Sequence, residues 1–159
     1  MIDVTDSALR EGLTAALAVP RWVEDVASHA PFESLNELLL VAYAEATPLA
    51  PEEIDQAISH HPRIGEKPKG EGTSQAMSRS EQGDSEEFAA EIAAGNAAYE
   101  QRFGRVFIIR AAGRSRAEIL DELTRRLELE PELEVQVVGE QLRDIALLRL
   151  EKLFAEEPV

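Results

Sequence analysis

One of the three histidines, His61, has a position suited to acid–base chemistry. It directly precedes Pro62, and a residue before proline is disfavoured in the helical region. The preceding helix should therefore end here, with the imidazole at the base of a loop. Such a histidine is either an ordinary solvated side chain or a proton donor, because the usual pKa of imidazole lies near neutral pH. His29, in contrast, is expected to stabilise a helix C-terminus through the helix dipole.

A second group of polar side chains follows on a short predicted helix. Ser78, Glu81 and Gln82 are spaced i, i+3 and i+4, so on a helix they share one face. A hydroxyl, a carboxylate and a carboxamide side by side could hydrogen-bond a small polar molecule. An ordinary polar surface face is the alternative interpretation.

Several other kinds of site are excluded by composition or pattern. The chain has no cysteine, which excludes disulfides, thiolate metal sites and cysteine nucleophiles. A metal cluster of His60, His61 and Glu66 is conceivable, but adjacent histidines on an extended loop point apart, so we predict no metal site. The glycines at 65 and 70 lack the Gly-Lys-Ser/Thr ending of a phosphate loop, and no nucleophile elbow is present.

The charge of the chain limits its partners. Sixteen basic and 31 acidic residues give a formal net charge of −15, which repels nucleic acid and anionic membranes. The longest apolar run, Leu38–Ala44, is far shorter than the roughly 20 residues that span a bilayer, and the N-terminus has no secretory pattern. We therefore expect a cytoplasmic protein without nucleic-acid or membrane partners. An anionic substrate would need a local cationic anchor.

The hydrophobic periodicity predicts an all-α fold of about seven or eight helices in a single domain, residues 1–159. A long helix from Ser85 is predicted to bury Phe88, and the last helix, from Pro131, to place Leu153 inward. The one β-like run, 106–109, has no second strand to pair with. We expect it to be an extended segment packed between helices.

Four motifs together resemble the family of OHCU decarboxylases, which act on 2-oxo-4-hydroxy-4-carboxy-5-ureidoimidazoline. Each motif alone is weak, but their order and distances are specific, and the likeness covers nearly the whole chain. The resemblance implies an all-helical, cofactor-free and commonly dimeric enzyme that converts OHCU to (S)-allantoin and carbon dioxide. The motifs are HPRIGE at His61–Glu66, SRSEQ at Ser78–Gln82, YEQRFGRVFIIRAAGRS at Tyr99–Ser115 and IALLRLEKL at Ile145–Leu153.

The resemblance also implies roles for individual residues. The catalytic residues would be His61 as general acid/base, Glu81 and Arg149. Substrate would be bound by Pro62, Ser78, Gln82, Phe107, Ile108, Ile109, Arg110 and Ala111, the last five as a segment whose backbone lines the pocket.

The expected chemistry suits these residue types. Loss of carbon dioxide leaves electron density that the unsaturated ring of the substrate can absorb, so no metal is required. A histidine fixed on one side would deliver a proton to one face and give one enantiomer. Arg149 would hold an anionic oxygen with its planar fork, or would be a helix arginine whose stem covers the core while its head reaches water or pairs with an acidic neighbour. A helical module that only binds purine-derived ligands is the alternative function.

Overall fold

The computed structural model describes residues 6–59 and 88–154. These ranges contain seven α-helices and no strand, which confirms the predicted all-α class. In chain order they are α1 (Asp6–Ala16), α2 (Pro20–Ala27), α3 (Leu35–Glu45), α4 (Pro51–Ile58), α5 (Ala89–Phe103), α6 (Arg116–Arg126) and α7 (Pro131–Leu153).

The helix starts follow local sequence signals. Proline opens α2, α4 and α7, where its missing N–H costs no hydrogen bond and its fixed φ already suits a helix. At α6, Ser115 Oγ accepts from the Glu118 N–H at 3.1 Å. The Ser115 N–H in turn donates to Glu118 Oε1 at 2.9 Å, which completes a capping box.

A first hydrophobic cluster is formed by α1–α4 and α7. Its largest member, Trp22, is fully buried, and its indole N–H donates to the Ala42 carbonyl at 3.1 Å. Helix α7 contacts α1, α3 and α4, so it runs through the centre of this part of the fold. Other members of the cluster are Leu13, Val26, Leu38, Ile54, Val138, Leu142, Ile145 and Leu150.

A second cluster lies between α5 and α6. It contains Tyr99, Phe107 and Leu123, with the Tyr99 and Phe107 rings edge to face at 5.2 Å between centroids. Gly95 allows the two helices to approach closely, because a Cβ at this position would collide with Leu123 Cδ2.

The segment 106–111 joins the two clusters. Val106 and Ile108 pack with the first cluster, whereas Phe107, Ile109 and Ala111 belong to the second. This alternation is the pattern of an extended chain, in which successive side chains point to opposite faces. The predicted extended segment between helices is therefore confirmed.

Two expectations about helix faces were wrong. Phe88 precedes α5 with a left-handed φ of 59° and is 42% exposed, because the helix begins one residue later. Leu153 is 36% exposed at the end of α7, while Glu134 and Arg149 occupy its buried face. No helix in the described ranges is long and apolar enough to span a membrane.

Candidate functional site

The predicted site residues fall into two groups. Phe107–Ala111 and Arg149 lie in the part of the chain that the structure describes. The others lie outside the described residues, so their roles remain predictions. They are His61, Pro62, Ser78, Glu81 and Gln82, together with His60 and Glu66 of the rejected metal cluster.

Three side chains form hydrogen bonds with the backbone of the segment 107–111. The Ile108 carbonyl accepts a hydrogen bond from Arg126 Nη1 at 2.7 Å. The Arg110 N–H donates to Gln141 Oε1 at 2.9 Å, and the Arg110 carbonyl accepts from Arg114 Nε at 2.9 Å. All side chains of the segment except that of Arg110 are buried. The segment is therefore fixed both by packing and by hydrogen bonds.

A buried ion pair supports this segment. Arg126 and Glu134 have fully buried side chains, and Arg126 Nε donates to Glu134 Oε1 at 2.9 Å. The Tyr99 hydroxyl donates to the same carboxylate oxygen at 2.6 Å. Burial, and then the hydrogen bond to Glu134, raise the pKa of Tyr99. The Arg126 guanidinium also lies 4.6 Å from the centre of the Phe107 ring.

The ion pair was not predicted from the sequence, although a signal for it exists. Glu134 stands four residues before Val138 on the buried face of α7. A carboxylate on an apolar stripe requires a partner, because an unpaired buried charge is strongly destabilising. The turn between α6 and α7 brings Arg126 to it.

Arg149 is buried on the same helix. It is 1% exposed, and its Nη1 donates to the Ala15 carbonyl of α1 at 3.2 Å. The interpretation in which the head of Arg149 reaches water is therefore wrong. The guanidinium is held in place inside the fold, where a cation acts on an anionic group more strongly than it would in water.

Helix α7 carries contacts to both described parts of the predicted site. Gln141 binds the segment at Arg110, and Arg149 follows eight residues later, about 12 Å further along the helix axis.

Among the described residues, no three His, Asp or Glu side chains are grouped as a metal site would require.

A cavity of about 340 Å³ opens elsewhere, between the α3–α4 connection and the first half of α7. Its walls include Leu49, Ile54 and Gly139, and Arg143 stands at its side. Arg143 contacts Asp144 at 3.2 Å and lies 4.4 Å from the centre of the Tyr43 ring. None of the predicted site residues that the structure describes lines this cavity.

Comparison with known proteins gives a consistent family. The family model "OHCU decarboxylase" matches residues 3–151. The chain is 36% identical over 109 residues to the uric acid degradation bifunctional protein TTL of Arabidopsis thaliana, a match that covers 64% of this chain and 34% of that protein. It is 30% identical over 135 residues to 2-oxo-4-hydroxy-4-carboxy-5-ureidoimidazoline decarboxylase of Mus musculus, covering 80% of this chain and 75% of that protein. The chain thus spans about a third of the first relative and three-quarters of the second.

Solved structures agree with the sequence comparison. The fold matches a crystal structure of OHCU decarboxylase in the presence of (S)-allantoin with a TM-score of 0.74 and 26% identity, over 92% of this chain and 99% of the other. It also matches an (S)-allantoin synthase in fold, with a TM-score of 0.69 and 18% identity, over 95% of this chain and 51% of that one. The family match over nearly the whole sequence shows that this chain belongs to the OHCU decarboxylase family.

Proposed function

We propose that this protein decarboxylates OHCU and releases (S)-allantoin and carbon dioxide. The observation that carries the proposal is the structural match to an OHCU decarboxylase crystallised in the presence of (S)-allantoin, which extends over nearly the full length of both chains. A fold alone does not determine a function. The arrangement of the described site residues supplies the second argument.

Arg149 supplies the cationic group that an anionic substrate needs. The protein has a net charge of −15, so a carboxylate would be repelled by most of the surface. A buried guanidinium can bind two oxygens of one carboxylate with parallel hydrogen bonds. Arg149 therefore binds an anionic oxygen of OHCU or of the intermediate that follows loss of carbon dioxide.

The segment 107–111 binds the uncharged part of the substrate. The ureido group and the ring of OHCU carry amide-type N–H and C=O groups, which pair with backbone N–H and C=O groups. Because packing and side-chain hydrogen bonds already fix the segment, little conformational entropy is lost when substrate binds.

His61 acts as the general acid/base and gives a proton to one face of the carbon that loses carbon dioxide. Glu81 orients the imidazole and contacts the 4-hydroxyl group, while Ser78, Gln82 and the Pro62 region complete the pocket. These roles follow from the resemblance of the motifs. His61→Ala is expected to slow turnover about 10²–10⁴-fold, and His60→Ala is the matched control in the adjacent residue.

We further propose that the chain acts as a single domain and as a homodimer in the cytoplasm. Leu40 and Tyr43 on α3 are 63% and 45% exposed, and neighbouring exposed apolar side chains favour association. Light scattering on the purified chain distinguishes a dimer, which supports this assembly, from a monomer, which contradicts it.

The function is tested by generating OHCU through enzymatic urate oxidation, with and without this protein. The proposal predicts faster loss of OHCU and formation of a single allantoin enantiomer. The alternative, a helical module that only binds purine-derived ligands, predicts binding of (S)-allantoin while OHCU decays at its uncatalysed rate to a racemic product. That second result would reject the enzyme.

A further inference from the structure

Two peptide planes of the segment 107–111 meet at Ile109, and each contains a group that is hydrogen-bonded by a neighbouring side chain. A trans peptide is planar, so its C=O and N–H point in opposite directions. The Ile108 carbonyl shares a peptide plane with the Ile109 N–H, and the Ile109 carbonyl shares one with the Arg110 N–H. Fixing one group of each plane therefore fixes the other.

Side chains fix one group of each plane. Arg126 Nη1 binds the Ile108 carbonyl at 2.7 Å, which turns the Ile109 N–H away from Arg126. Gln141 Oε1 accepts from the Arg110 N–H at 2.9 Å, which turns the Ile109 carbonyl away from α7. Both polar groups of Ile109 then face the same edge of the extended segment, as they do for alternate residues of a strand.

This edge of the segment has a hydrogen-bond donor and an acceptor that the described part of the chain does not use. None of the hydrogen bonds found among residues 6–59 and 88–154 uses the backbone N–H or C=O of Ile109. A neighbouring donor and acceptor on one residue match the N–H and C=O of a urea or cyclic amide. Buried backbone groups are almost always paired, so an unused pair beside a buried side chain suits a bound molecule.

We propose that Gln141 and Arg126 are positioning residues, which orient the Ile109 N–H and C=O toward the ureido or ring amide of the substrate without touching it. The inference rests on the proposed function. Arg126 also neutralises Glu134, so changing it would disturb the fold as well as the peptide. Gln141 is partly exposed and has a neutral side chain, which makes it the sharper test.

The test compares three variants by steady-state kinetics with OHCU and by calorimetric titration with (S)-allantoin. Gln141→Met keeps the length of the side chain but removes the acceptor, whereas Gln141→Glu keeps an acceptor oxygen. Gln136→Met makes the same change at an exposed position of the same helix and serves as the matched control.

The inference predicts that Gln141→Met raises both KM and the Kd for (S)-allantoin about tenfold, with kcat changed much less, because backbone contacts to the amide hold substrate and transition state equally. Gln141→Glu should recover most of the affinity, and Gln136→Met should match the wild type. If Gln141→Met does not fold, Gln141→Asn, whose amide is too short to reach Arg110, is measured in its place.

Two results would overturn the inference, and they are distinguishable. If the wild type turns over OHCU and Gln141→Met has the KM of Gln136→Met, the positioning role is rejected while the proposed function stands. A lowered melting temperature with unchanged KM would likewise assign Gln141 to the scaffold. If the wild type neither consumes OHCU nor binds (S)-allantoin, the proposed function fails and the inference fails with it.

Discussion

Arg126 and Arg149 are the two most deeply buried arginines of the residues that the structure describes, and their surroundings differ. Arg126, at the end of α6, binds the carboxylate of Glu134, and the Tyr99 hydroxyl binds the same carboxylate. Arg149, in the last third of α7, donates to the Ala15 carbonyl, which carries no formal charge. The two residues are 0% and 1% exposed, so burial does not distinguish them.

The structural role of Arg126 follows from its contacts, whereas the role of Arg149 in substrate binding is proposed. An arginine with a buried carboxylate is neutralised inside the fold, and removing either partner leaves an uncompensated charge. Arg149 binds a backbone carbonyl of α1 among its partners, and the proposed function places its guanidinium against an anionic oxygen of the substrate. We therefore treat Arg126 mainly as a scaffold residue and propose Arg149 for substrate binding, and the following predictions test that division.

The largest effect on stability is expected from Glu134→Ala. The change leaves Arg126 buried without its carboxylate, which should lower the free energy of unfolding by about 3–5 kcal/mol. Glu140→Ala, at an exposed position of the same helix, should change it by less than about 0.5 kcal/mol. Urea denaturation measures both, and equal losses would show that the buried pair contributes nothing particular.

Tyr99→Phe should have a smaller effect on the same network. It removes the 2.6 Å hydrogen bond to Glu134 but leaves Arg126 in place, so we expect a loss of about 1 kcal/mol. Because burial and Glu134 raise the pKa of Tyr99 in the folded state, this contribution is complete below about pH 10 and is lost at higher pH. Unfolding measurements at neutral pH, with Tyr43→Phe as the exposed control, check it. A Tyr99→Phe protein as stable as the control would remove Tyr99 from the network.

The smallest effect is expected from Glu53→Gln, which removes the carboxylate that the exposed Arg21 binds. Arg21 binds Glu53 through two nitrogens, at 2.6 and 2.9 Å, and is 40% exposed. The hydrogen bond from Arg21 lowers the pKa of Glu53, so the stabilisation is complete above the ordinary carboxyl value and is lost as the pH falls through the lowered value. Glu53→Gln should therefore cost less than about 1 kcal/mol at pH 7 and almost nothing near pH 2. A cost that does not depend on pH would contradict an ionic origin.

Local signals in the sequence predicted much of the fold. The Ser115–Glu118 capping box and the prolines that open α2, α4 and α7 act within one turn of helix, so the sequence alone indicates them. The extended run 106–109 was predictable because a single β-like run has no strand to pair with, and the structure continues it to residue 111. Phe88 was misplaced because helix ends depend on a few local dihedral angles that apolar spacing does not fix.

The site was less predictable than the fold. Glu134 on the apolar stripe of α7 indicates that a buried partner is needed, but the turn between two helices determines that this partner is Arg126. Resemblance of motifs pointed to Arg149, but its contact with Ala15 joins residues 134 positions apart. Such contacts depend on how the helices pack, which periodicity does not specify.

The central claim is that Arg149 binds an anionic oxygen with its planar fork. Arg149→Lys keeps the charge but cannot reproduce that geometry, so kcat/KM for OHCU should fall about ten- to a hundredfold or more while the melting temperature stays near that of the wild type. Arg143→Lys, six residues earlier on α7, should leave kcat/KM nearly unchanged. Near-normal efficiency in Arg149→Lys, or equal losses in both variants, would contradict the account and assign Arg149 to the scaffold.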